Sequence, residues 1–101
     1  MSGKELGKKL AKAATALDQA IEAFEAAGLD PMELLAAVRG PLEQTDDAIA
    51  RMRTLRKAAV LAAYTDRRIP VFQIAEAAGF SASLVTREAT QAGLEPRNRR
   101  S

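Results

Sequence analysis

The sequence predicts an all-α protein, and three observations carry that prediction. Alanine, the strongest helix former, fills 22 of the 101 positions. Aromatic residues are sparse, three Phe and one Tyr, and β-branched residues nowhere alternate with polar ones over a strand's length. Apolar side chains recur instead at spacings of three and four, and Gly, Pro and capping residues interrupt them where helices would end. The expected order is a long N-terminal helix, a short helix, a third helix, a C-terminal pair of helices joined by a tight turn, and a disordered basic tail.

The first helix is expected from about Lys4 to Ala27. Leu10, Ala14, Leu17, Ile21 and Phe24 are spaced 4, 3, 4 and 3, with Leu6 one turn earlier, so they make a narrow apolar seam. Asp18, Glu22 and Glu25 lie off it. The seam suits either packing within the chain or a dimer coiled coil, and a dimer is the expected use. Lys4, Lys8, Lys9 and Lys12 read as a solvated end, because the acids that follow and the weak apolar face argue against a membrane surface. Gly28 then supplies a left-handed stop, Asp30 a cap, Pro31 a first turn and Glu33 the far side of a capping box. The second helix is expected over Pro31 to Val38, closed by Gly40-Pro41. Pro41 opens the third, whose stripe of Leu42, Ile49, Met52, Leu55 or Arg56, Ala59 and Ala63 continues toward Tyr64 unless the helix breaks near Arg53.

Composition removes most chemistry. The chain has no Cys and no His, which excludes disulfides, the usual zinc ligand sets, and Ser-His or Cys-His catalytic pairs. The carboxylate pair Asp46-Asp47 is the one enzymatic option, but acids near a helix start are explained by the dipole, so neither catalysis nor a cofactor or metal is expected. No apolar run approaches the roughly 18 residues of a spanning helix. Met-Ser-Gly-Lys opens neither a signal peptide nor a myristoylation site, and the expected location is the cytoplasm. A net charge of +2 conceals a division. Residues 1–50 hold five basic and nine acidic groups, whereas residues 51–101 hold ten basic groups, nine of them Arg, and four acidic. A basic half of this kind is the footprint of a nucleic-acid-binding segment.

The stretch VFQIAEAAGFSASLVTREAT, residues 71–90, carries the most specific signal. Ala75 is small where two helices must cross closely. Gly79 follows four residues later where the turn needs a positive φ. Ile74, Ala78, Phe80 and Val85 fall at positions that bury between the helices, and Ser81 can cap the second through its hydroxyl. This is helix-turn-helix spacing. In IAEAAGFS followed by LVTRE the stretch resembles the helix-turn-helix of lactose-repressor-type regulators and of phage and resolvase DNA-binding domains. That resemblance covers residues 71–90 only, with Leu55 to Thr65 as a supporting helix upstream. One position departs from it: three residues after Val85 the family places a branched apolar residue, and this chain has Glu88, which predicts a helix that is rotated or leans on Leu84, Ala89 and Ala92 instead.

The resemblance makes Ala82 to Ala92 a recognition helix, stopped by Gly93 and Pro96. Its outward residues Ser81, Ala82, Ser83, Thr86, Arg87, Thr90 and Gln91 are then the expected base contacts, with Arg87 suited either to a guanine edge or to a phosphate. Arg67, Arg68, Gln73 and the tail residues Arg97, Arg99 and Arg100 are the expected backbone contacts, the tail as a disordered arm. Leu6, Leu10, Leu17, Ile21 and Phe24 form the expected dimer or partner interface. The chain thus divides into a helical dimerisation segment at 1–50, a DNA-binding segment at 51–94 and a basic tail at 95–101. The expected function is a small dimeric transcriptional regulator acting on double-stranded DNA. The alternative is a DNA-targeting adaptor whose N-terminal helices hold a larger protein.

Overall fold

Helix signals dominate the sequence, and the computed structural model, which describes residues 1–97, contains four α-helices and no strand among them. They are α1 (Gly3–Ala26), α2 (Pro31–Thr65), α3 (Val71–Ala78) and α4 (Ala82–Gln91). No helix among the described residues is long and apolar enough to cross a membrane. Two compact units divide at Glu43 and Gln44, so that α2 contributes its first turns to one and the remainder to the other.

In the first unit, α1 starts where the Ser2 hydroxyl accepts the Glu5 amide at 3.2 Å, and it ends ahead of Gly28, whose φ of +63° reverses the chain. Asp30 then caps α2, its Oδ1 accepting the amides of Met32 at 3.0 Å and Glu33 at 3.1 Å. The Glu33 side chain and these two amides hold the Asp30 carboxyl below its ordinary value, and the same pairing pushes Glu33 up. Phe24, Leu29 and Val38 are half-buried where the end of α1 meets the start of α2. No residue of α1 is fully buried.

One sequence expectation fails here. The second and third helices are a single helix, because Gly40 and Pro41 lie inside α2 rather than at its ends. The proline has no N–H for the Ala37 carbonyl, which ordinarily breaks a helix. Its ring also clashes with the Cβ of the preceding residue in an α conformation. Glycine has no Cβ, so Gly40 removes that second obstacle. Asp46 and Asp47 consequently sit exposed in the interior of α2 and not near a helix start.

The second unit contains the buried core, which comprises Val60 and Tyr64 of α2, Ile74 and Ala75 of α3, and Val85 and Ala89 of α4. Leu61, Ile69, Val71, Ala78, Phe80 and Leu94 pack around it. Burying a side chain of the size of Ile74 or Val85 stabilises by about 1.5–3 kcal/mol. Both short helices end in the same way. Gly79 at φ +73° lets the Phe80 amide reach the Ala75 carbonyl at 2.9 Å and the Gly79 amide reach that of Glu76. Gly93 at φ +85° repeats the pattern, with the Leu94 amide on the Ala89 carbonyl at 3.0 Å. Each is a Schellman stop in which the residue after the glycine turns back onto the core.

Candidate nucleic-acid interface

The geometry of this site begins with the crossing of α3 and α4, which pack directly on each other. Ala75 is buried at 6% exposure, and a larger side chain there would hold the two helices apart. The Ser81 hydroxyl accepts the Leu84 amide at 3.2 Å and so starts α4 at Ala82. Val85 and Ala89, both fully buried, then fix which face of α4 looks inward. Since these two are four residues apart, Ala89 fills the place expected three residues after Val85. Leu84 is half-buried, whereas Ala92, the third expected support, is exposed.

Of the seven residues expected to touch bases, Ser83, Thr86, Arg87, Thr90 and Gln91 lie away from the Val85 and Ala89 side, while Ser81 and Ala82 stand at the start of α4, one turn before Val85. Ser81, Ala82, Ser83, Thr86, Arg87, Thr90 and Gln91 are exposed. The hydroxyls of Thr86 and Thr90 donate to the carbonyls of Ala82 at 3.2 Å and Thr86 at 2.8 Å, which leaves each oxygen lone pairs with which to accept. Arg87 makes no ion pair with a described residue. The exposed part of α4 therefore presents short polar groups, methyls and one unneutralised guanidinium.

The residues expected on the phosphate backbone fare differently. Arg67 is exposed, while Arg68 is clamped by Asp66, its Nε and Nη2 each donating at 3.1 Å to the carboxylate. The Arg68 side chain and its backbone amide hold the Asp66 carboxyl below its ordinary value. Gln73 is exposed on α3 and lines an apolar groove of 370 Å³ with Arg56, Ala59 and Ala77.

Arg97 is not a free arm. Its guanidinium donates to the carbonyls of Tyr64 at 2.6 Å, Asp66 at 3.0 Å and Ala63 at 3.3 Å, and also to that of Ile69. It lies 4.7 Å from the centre of the Tyr64 ring, and its amide donates to the Tyr64 hydroxyl at 3.0 Å. The expectation of a disordered tail from residue 95 is thus corrected at Arg97, because a forked cation bonds carbonyls at and just beyond the end of α2, of which those of Tyr64 and Ile69 accept no backbone amide there. Arg99 and Arg100 lie outside the described residues. On the dimer seam, Leu6, Leu10, Leu17 and Ile21 are exposed, and Phe24 is half-buried against the start of α2.

The motif alone does not announce a second basic feature. Arg53, Arg56 and Lys57 of α2 share a 210 Å³ cleft with Phe80 and Glu88. Arg56 lies 4.5 Å from the centre of the Phe80 ring, a cation–π contact that draws α2 toward the turn before α4. Glu88, where the chain departs from the family pattern, lines this same cleft without an ion pair to a described residue. A surplus of positive charge remains on that side of the unit. The signal available in the sequence was the run RMRTLRK at 51–57, in which Arg56 and Lys57 follow Arg53 at three and four residues and so share a helix face with it.

Compared with known proteins, the chain matches no family model, no curated protein and no solved structure.

Proposed function

We propose that this protein is a sequence-specific DNA-binding protein, a small dimeric transcriptional regulator, in which α3 and α4 act as a helix-turn-helix and α4 enters the major groove. The observation that carries the reading is the exposed surface of α4 and its cap Ser81, where seven short polar, methyl or cationic groups stand clear of the core and the one carboxylate of α4, Glu88, is half-buried to the side. A major-groove reader needs such a face, since a carboxylate there would repel phosphates and bulky apolar groups would offer bases no hydrogen bonds. The glycine turn, the buried Ala75 and the serine cap support the same reading, because they hold α4 rigidly against α3. Arg51, Arg53, Arg56, Lys57 and Arg67 add the positive surface that supplies non-specific attraction to DNA. The exposed seam of α1 supports a dimer, which would present two such faces to a site with two halves.

The test is selection of bound duplexes from a random pool by the full chain, followed by titration of the enriched sequence. The expected result is one enriched sequence with two related halves, bound at least a thousandfold more tightly than random DNA of equal length, within the usual range of roughly 10³–10⁷ for specific sites. Recovery of no preferred sequence would reject sequence-specific recognition.

A further inference from the structure

α1 is charged in a way that works against it as an isolated helix. Its first half holds Lys4, Lys8, Lys9 and Lys12 with one acid, Glu5, and its second half holds Asp18, Glu22 and Glu25 with no base. The helix dipole favours the reverse, anions at the N-terminus and cations at the C-terminus. The seam on the same helix is also uncovered over most of its length, with Leu6, Leu10, Leu17 and Ile21 between 41% and 55% exposed, and only its Phe24 end is half-buried against the start of α2.

We propose that α1 pairs antiparallel with α1 of a second copy of this chain. Both features are then accommodated at once. The seams bury each other, and each basic half lies along the other copy's acidic half. The N-terminus of each helix meets the partner's carboxylates, which is the charge its dipole lacked. A parallel pair would set lysines beside lysines and acids beside acids over the whole length.

The edge of the seam sharpens the pairing. Lys4, Ala11, Asp18 and Glu25 recur every seven residues beside it, and antiparallel helices bring this edge together with itself. Lys4 then faces the Glu25 position of the second copy, and Ala11 faces the Asp18 position. Exposed ion pairs are individually weak, so the apolar seam supplies affinity while the charges choose direction. This inference rests on the dimeric part of the proposed function and is independent of DNA binding, so its test contains no DNA.

Because the chain has no Cys, introduced thiols report on this contact alone. Lys4→Cys and Glu25→Cys chains are mixed in equal amounts under a glutathione redox buffer, and Ala11→Cys with Asp18→Cys serves as a second pair. A disulfide requires Cβ atoms about 4 Å apart, so it records which residues meet. Antiparallel pairing predicts that in both mixtures the mixed disulfide exceeds the self-linked forms by an order of magnitude. Predominant self-linking of Lys4→Cys would show a parallel pair and overturn the proposal. The unaltered chain, followed by light scattering, is expected to be a dimer that dissociates more readily as salt rises. A monomer throughout the micromolar range, or a complex formed only with a different protein, would equally overturn it, whatever the DNA experiments show.

Discussion

Arg97, a single residue, does what no local pattern announces. It bonds the carbonyls of Ala63, Tyr64, Asp66 and Ile69 and stacks on the Tyr64 ring, and since Ala63 and Asp66 also accept the amides of Asp66 and Ile69, its removal would open the carbonyls of Tyr64 and Ile69 in particular. Arg97→Ala is expected to lower stability by about 2 kcal/mol, within the range for hydrogen bonds to charged groups. Arg97→Lys is expected to recover little, because an ammonium cannot fork across several carbonyls. Urea unfolding followed by the fluorescence of Tyr64, the single tyrosine, checks both, and a lysine as good as arginine would show that charge alone suffices. Asp66 gives a pH signature beside it. Its folded carboxyl is held below the ordinary value of 3.8 by Arg68, so its contribution is present above that value and is lost as the pH falls through the lower, folded one. The stability gap between the wild-type chain and Asp66→Asn should therefore be full near neutrality and close below pH 3.8. A gap unchanged down to low pH would show that the carboxylate's charge contributes nothing.

Among the helices and turns, what could be read from the sequence depended on how local the cause was. The stops at Gly28, Gly79 and Gly93 and the caps at Asp30 and Ser81 were legible because a positive φ or a short oxygen acts within three or four residues. The core positions of α3 and α4 were legible for the same reason. Arg97 was not, since its partners lie 28 to 34 residues away. Gly40-Pro41 misled for a different reason: each residue alone is a breaker, yet the glycine removes one of the obstacles raised by the proline, the clash with a preceding Cβ. Substitutions at the two positions should therefore be non-additive. Apart from its chain neighbours a Cβ at Gly40 meets nothing within 4 Å, so propensity alone would make Gly40→Ala stabilising by about 1 kcal/mol. With Pro41 in place that gain should vanish or reverse, because the new Cβ meets the proline ring. Pro41→Ala should stabilise the helix by up to about 3 kcal/mol, and Gly40→Ala should become favourable in that background. Thermal melts of the four proteins by circular dichroism close the cycle, and a full, background-independent gain from Gly40→Ala would remove this explanation.

For the protein as a unit, the proposed DNA contacts separate into those that read sequence and those that hold the backbone, and the two respond differently to mutation. Arg87 stands exposed on α4 without a neutralising partner, so in the proposed major-groove placement Arg87→Ala should cost about 1–3 kcal/mol on the preferred site and far less on random DNA. Arg99 and Arg100 are tested by removing residues 98–101 only. A deletion reaching Arg97 would also take the cap off α2, and failed folding would then be read as failed binding. The shorter deletion should weaken all sequences alike and flatten the dependence of log affinity on log salt by about 0.9 for each phosphate that is no longer neutralised. Titrations of both variants on the selected and a random duplex, each at several salt concentrations, decide between the roles. If Arg87→Ala instead weakens both duplexes equally and lowers the salt slope, Arg87 belongs to the phosphate set. Discrimination would then fall to Ser83, Thr86, Thr90 and Gln91, of which Thr86 and Thr90, their hydroxyl protons committed within the helix, are left to accept from an adenine or cytosine amino group.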